Sequence, residues 1–325
     1  QWPELIGDAD PWVAWAATRC LAAQQEDDGD PQASLRTIET LLGRLHGNDL
    51  AGIHLLELHL HRLQVLMSLG RYSQVVDACS RAQVLLDRVL PSWGEFFRTT
   101  LRLEGAYCAV YLDPRPETAD RLLESLEPVD LPGTMRFIAR SVRGELELTR
   151  GNARTAALIQ RVSLRYAGHW RTILGSGSQW ELYILSMCLI TDVELSPDDA
   201  VELDADAVRV RATSLLRDIL SDPAPRQRDI PTIMAFVAAV GLSVVAAEDV
   251  GSDRRAAGAE LVATALAVGT NQTCRLLSHD YLHSRTEQFD ARALAQAEER
   301  IRPLDRGELV VHAADLAGRL SGEVG

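Results

Sequence analysis

The chain has 325 residues, 46% of them hydrophobic and 24% charged, with a formal net charge of −13. That composition suits a soluble chain with a continuous core, and the excess of acid argues against direct contact with nucleic-acid phosphate. No apolar run nears the roughly 20 residues that span a bilayer; the longest, 233–247, is bounded by Pro231 and Glu248 and reads as a buried helix. The sequence starts at Gln1 with no signal-peptide pattern, as expected of a piece of a longer, cytoplasmic protein. Its five cysteines, Cys20, Cys79, Cys108, Cys188 and Cys274, are far apart, odd in number and free of any C-x-x-C pair. They read as reduced core residues.

In chain order, Asp10 is placed to cap a helix over 11–25, with Pro11 at its first position. Its partner covers 32–45, where Leu35, Ile38, Leu41, Leu42 and Leu45 share one face. Helices over 51–69 and 73–89 make a second pair. After Pro91 to Gly94, 95–112 and 116–126 make a third, with a turn at 113–116 that is two residues longer. A linker at 128–133 leads to a fourth pair, 134–149 and 153–166. The rhythm breaks over 168–177, and Gly175-Ser176-Gly177-Ser178 requires a loop. A helix over 179–191, an acidic connection over 193–204 and a helix over 205–220 follow. Beyond a proline-rich loop at 223–231 come the pair 231–248 and 254–268, then shorter helices near 273–286, 291–301 and 306–320. No segment alternates as a strand does.

One phrase recurs. Leu69-Gly70-Arg71-Tyr72 is followed by Val75, Cys79 and Ala82; Arg150-Gly151-Asn152-Ala153 is followed at the same offsets by Ala156, Gln160 and Ser163. Further copies start at Gly29-Asp30-Pro31 and Gly251-Ser252-Asp253. Gly29 to Gly70 is one step of 41 residues, Gly70 to Gly151 two steps of about 40 and Gly151 to Gly251 two stretched steps, the mark of stacked helix pairs that cannot bury an apolar face alone. The expectation is an all-α superhelix of about six helix pairs with a C-terminal helical cap. Residues 1–167 would be N-terminal repeats, 168–204 an irregular joint and 205–325 the C-terminal pairs and cap, in one continuous solenoid.

These pairs resemble tetratricopeptide repeats. Gly144 and Ala156 stand at the motif's spacing in the fourth pair; Val75, Cys79 and Ala82 fit in the second, where Leu63 replaces the usual small residue; Gly105 fits in the third. The initial Trp is absent and the spacing exceeds the standard 34 residues. The stretch 251–268, with Arg254, Arg255, Ala256, Ala257, Gly258, Ala259 and Glu260, is similar to the terminal region of large bacterial transcriptional activators, of the antibiotic-regulatory-protein type or the large LuxR type. The resemblance implies a non-catalytic sensor or protein-interaction region that controls an attached DNA-binding or nucleotide-switch domain. The resemblance to tetratricopeptide repeats implies an inner groove lined by the first helix of each pair: Glu57, His61 and Gln64 in the second, Arg102 in the third, Ser141 and Glu145 in the fourth. The partner would be a protein or peptide, or the attached domains. A stand-alone adaptor and the peptide-sensing domain of a smaller helix-turn-helix regulator are alternatives; an all-α enzyme with a pocket in 166–204 is another.

Motifs for chemistry are sparse. Gly175 to Ser178 lacks the Gly-Lys-Ser/Thr ending of a phosphate loop and reads as a linker. His279 and His283 lie four apart, but no third metal ligand is evident. His54, His59 and His61 share a helix, on which only His54 and His61 share a face, and a surface role is expected. Acid pairs such as Asp198-Asp199 and Glu298-Glu299 read as solvated. Trp170, Trp180 and Tyr183, near Arg165 and Arg171, flank the irregular stretch, where they would either pack across the joint or line a ligand pocket; Trp180 and Tyr183 complete the candidate binding residues. No cofactor and no metal site is expected.

Overall fold

A computed structural model describes residues 2–45, 52–89, 94–112, 117–127, 133–174, 179–220, 230–247, 250–270, 275–286 and 291–322. Among the described residues every regular element is a helix and none is a strand. The chain forms two compact units, Gln1–Val142 and Arg143–Gly325.

The first unit holds α1 (Trp2–Leu5), α2 (Pro11–Asp27), α3 (Pro31–Arg44), α4 (Gly52–Ser68), α5 (Tyr72–Val89), α6 (Gly94–Leu112), α7 (Glu117–Glu124) and the start of α8 (Gly133–Thr149). Side-chain caps start two of them. Asp10 accepts the Trp12 N–H at 2.9 Å, and Asp30 accepts the Ala33 N–H at 2.8 Å, each cap being worth about 1 kcal/mol. From α1 to α7 each helix packs on its neighbours in the chain. The core between them is built from Leu35, Ile38, Leu56, Leu63, Val75 and Ala82, all fully buried. The short α1 carries too few residues for a period to reveal it; Arg44 braces the turn that follows it by donating to the carbonyls of Ile6, Gly7 and Asp8.

The recurring phrase is one turn used three times. Gly29, Gly70 and Gly151 adopt φ of 80°, 67° and 81°, a left-handed conformation open to glycine at no steric cost. In each copy the glycine N–H donates three residues back, to Glu26, Met67 and Leu148. The next N–H donates five back, to Gln25, Leu66 and Glu147. This bonding closes the preceding helix and satisfies its last carbonyls. Gly251 is not a fourth copy: its φ is −61°, and it stands as the N-cap of a helix. The similar letters there open a helix instead of closing one.

The second unit holds the end of α8, then α9 (Ala153–Leu174), α10 (Gln179–Val193), α11 (Pro197–Glu202), α12 (Ala205–Leu220), α13 (Ile230–Ala246) and α14 (Ser252–Val268). A 3₁₀ turn (Arg275–Leu277), α15 (His279–Thr286), α16 (Ala291–Ile301) and α17 (Arg306–Gly322) complete it. Its helices do not simply follow the chain order: α13 packs on α10, α12 and α14, and α17 returns to α12 and α14. Helix α13 has no polar side, and every residue from Ile233 to Val244 is buried, as befits a helix enclosed by others. Helices α13 and α14 cross at two glycines. A Cβ built on Gly258 would lie 2.9 Å from the Gly241 carbonyl oxygen, and one on Gly241 would lie 2.6 Å from the Gly258 oxygen.

Two boundaries differ from the sequence expectation. Helix α9 runs through Gly168 to Leu174, because one interior glycine costs only about 1 kcal/mol and does not end a helix; the expected loop at 175–178 lies outside the described residues. The acidic connection contains α11, capped by Ser196, whose Oγ accepts the Asp199 N–H at 3.3 Å. Arg154 secures α11 by pairing with Asp199 and Glu202.

Candidate functional site

Helices α2 and α4 present a joint face of aromatic and charged side chains. On α2, Trp12, Trp15, Arg19 and Glu26 are spaced by three, four and seven residues, so they lie on one side of the helix. On α4, His54, Glu57, His61 and Gln64 recur by three and four, with the same result. The apolar groups beneath are Ala14, Leu41 and Leu58, with Trp15, Leu42 and Leu45 packed on them. They join α2, α3 and α4 and so fix the two rows side by side.

The contacts between the rows run in chain order on both helices. His54 meets the Trp12 and Trp15 rings edge-on, at 4.6 and 4.3 Å between centroids, and Trp12 meets Trp15 at 6.2 Å. Next, Arg19 reaches Glu57 at 3.4 Å and lies over the Trp15 ring at 5.4 Å. Glu57 also meets His54 Nδ1 at 3.3 Å. Last, Glu26 meets His61 Nε2 at 2.6 Å and accepts from the Ser34 hydroxyl at 2.8 Å. Helices α2 and α4 therefore run in the same direction. Gln64, one turn beyond His61, is exposed.

Of the residues expected to line a groove, Glu57, His61 and Gln64 are together on this face. Arg102 is engaged along its own helix with Glu95, at 3.7 Å. Ser141 and Glu145 are wholly buried, so neither lines a solvent-facing groove. The α8 row that meets solvent is offset from the one the repeat register assigns, because the motif there is degenerate. Tyr183 is half-buried on α10, and the Trp180 and Trp170 side chains lie outside the described residues. Sequence reasoning missed Trp12, Trp15, Arg19 and Glu26. The available signal was two tryptophans within one turn of α2, in a chain with only 5% aromatic residues.

Other titratable groups are wholly or partly buried. Burial pushes the Glu104 carboxyl up to about 7; its Oε2 is covered and has no partner among the described residues. Burial pushes the Cys188 thiol up to about 12 and lifts Cys79 far above the ordinary thiol range, so both are protonated and poorly nucleophilic at neutral pH. In the second unit Arg161 holds Asp192 through two bonds of 2.8 and 3.0 Å and donates to the Leu203 carbonyl at 3.0 Å. Burial still outweighs the guanidinium and leaves the Asp192 carboxyl at about 6. His59 is pulled below the ordinary imidazole value by burial, then by Arg62 and Arg81. His279 accepts the Thr270 N–H at 3.2 Å, and burial followed by His283 lowers it too. Among the described residues no three His, Cys, Asp or Glu side chains are grouped to hold a metal ion, and no helix is long and apolar enough to cross a membrane.

No family model matches the chain, and neither a curated protein nor a solved structure matches it.

Proposed function

We propose that the chain is a tetratricopeptide-like α-solenoid serving as the sensor or protein-interaction region of a cytoplasmic bacterial transcriptional regulator. It binds without chemistry, and binding biases an attached DNA-binding or nucleotide-switch module. The observation that carries the binding role is the α2–α4 face, where two helices running in the same direction present a row of exposed and half-exposed groups. Helices in that relation, separated by one that runs back between them, are what stacked helix pairs produce. An exposed Trp12, with Arg19 two turns further along the same face, supplies the residue types that dominate binding hot spots. The regulatory role rests on the resemblance of 251–268 to activator termini. A partner acts as a switch only if it binds one arrangement of the protein more tightly than another.

The test is transcript profiling of the host cell. The gene is deleted in one strain, and in another its product carries Glu57→Arg with Gln64→Glu. Both strains are expected to change the same transcripts, with the variant protein at normal abundance. Unchanged transcripts in the deletion strain overturn the regulatory role. A changed deletion strain beside an unchanged variant strain overturns the binding face.

A further inference from the structure

Resting on the reading of α2 and α4 as a binding face, we infer that its aromatic end takes a basic peptide segment, with an arginine or lysine side chain stacked on Trp12.

Three observations converge. First, the end is built to hold a cation on an indole, because Arg19 already lies over the Trp15 ring at 5.4 Å. Trp12 is 47% exposed; the His54 ring meets it edge-on, and no arginine among the described residues lies over it. The negative face of an indole attracts guanidinium and ammonium groups, and tryptophan does so best. Second, the charge beside this end is mainly acidic. Asp8 and Asp10 stand immediately before Trp12, and Glu57 meets His54 at 3.3 Å. The cations nearby are committed: Arg19 reaches Glu57 at 3.4 Å, and Arg44 donates to the carbonyls of Ile6, Gly7 and Asp8. Such a field draws in a basic segment and repels an acidic one. Third, the rings are held in place. His54 packs edge-on against both indoles, and Asp10 fixes the backbone of Trp12 at 2.9 Å. A ring that is already ordered loses little freedom when it is covered.

The field and the aromatic platform make separable contributions. Charge alone gives binding that any acidic surface shows and that salt removes. Stacking on Trp12 adds a local part that follows the ring.

The test titrates a fluorescein-labelled nona-arginine peptide, with a nona-glutamate peptide beside it, into the full chain and follows anisotropy as salt is raised. Nona-arginine is expected to bind and nona-glutamate not to. Trp12→Ala is expected to weaken nona-arginine by roughly three- to ten-fold, and Trp12→Phe to recover part of the loss. Asp8→Asn with Asp10→Asn, which keeps an N-capping side chain, is expected to weaken it and to flatten its salt dependence. Val84→Ala, at an exposed apolar site on α5, is the control and is expected to change nothing. Circular dichroism melts confirm that each variant is folded. Equal affinity of Trp12→Ala and the unaltered protein overturns the inference, as does binding of nona-glutamate. Self-association that Trp12→Ala abolishes also overturns it, by making a second copy the occupant. These failures leave the wider reading standing if the Glu57 and Gln64 changes still alter transcripts.

Discussion

The two units use helices in different ways. In the first, from α1 to α7, each helix leans on its chain neighbours, and contacts link residues that are close in sequence. In the second, α13 is enclosed by α10, α12 and α14, and α17 comes back to α12 across most of the unit's length. Local packing leaves long helix faces open and lets parts of an array open separately. Packing around a central helix leaves less face free and ties distant segments into one cooperative body. The proposed binding row on α2 and α4 belongs to the first kind of region.

Substitutions break or sharpen this contrast. The largest effect is expected at the α13–α14 crossing. Gly258→Leu forces a side chain against the Gly241 carbonyl, which a Cβ alone would meet at 2.9 Å. A loss of about 4 kcal/mol or more is expected, read by urea denaturation as collapse of the second unit. Next comes Glu260, buried on α14, which accepts from Arg300 at 2.9 Å on α16 and meets His312 at 2.6 Å on α17. Glu260→Ala removes the group that joins three helices, and a loss of about 3 kcal/mol is expected, because the hydrogen bonds that a buried carboxylate makes to Arg300 and His312 go with it. A urea midpoint within error of the unaltered protein would contradict the clasp.

In the first unit, Glu104 gives a pH signature. Its carboxyl is held at about 7 in the fold and returns to about 4.5 on unfolding. Between those values the folded state keeps a proton that the unfolded chain has released, so stability falls as pH rises from 4.5 to 7. The total is about 3 kcal/mol. Glu104→Gln is expected to remove that slope from the unfolding of the first unit, leaving the one that Asp192 gives the second, and to be the more stable form at pH 8. A first-unit slope that survives the substitution assigns it to another group. The smallest effect is expected at Gly105, where an added Cβ meets only Leu122 Cδ1, at 3.7 Å. Gly105→Ala is expected to stabilise by roughly 0.5–1 kcal/mol through helix propensity, seen as a higher melting temperature. Unit 1 thus tolerates at Gly105 what unit 2 refuses at Gly258.

Local physics made much of the fold legible. Asp10 and Pro11 announce a helix start, the turns at Gly29, Gly70 and Gly151 need a residue free to take positive φ, and an unbroken apolar run marks α13. Features set by distant contacts were hidden. Arg19 and Glu57 are 38 residues apart, and nothing in either neighbourhood names the other. Ser141 and Glu145 carry polar letters on a helix whose register a degenerate motif does not fix, and tertiary packing took them inside. The phrase 251–268 gains a different meaning. Gly258 permits the close helix crossing, Glu260 clasps α16 and α17, and Arg254 donates to the Leu320 carbonyl at 3.2 Å. Each of these residues has packing to do, so their pattern speaks first for the architecture of the second unit.

Native-state hydrogen exchange on the full chain, followed amide by amide as denaturant is added below the unfolding transition, tests the contrast most directly. The account predicts that amides of α2 to α7 exchange in steps, each helix pair with its own opening free energy, while α10, α12, α13, α14 and α17 share one. A single isotherm for both units, or stepwise opening of the helices around α13, would contradict it.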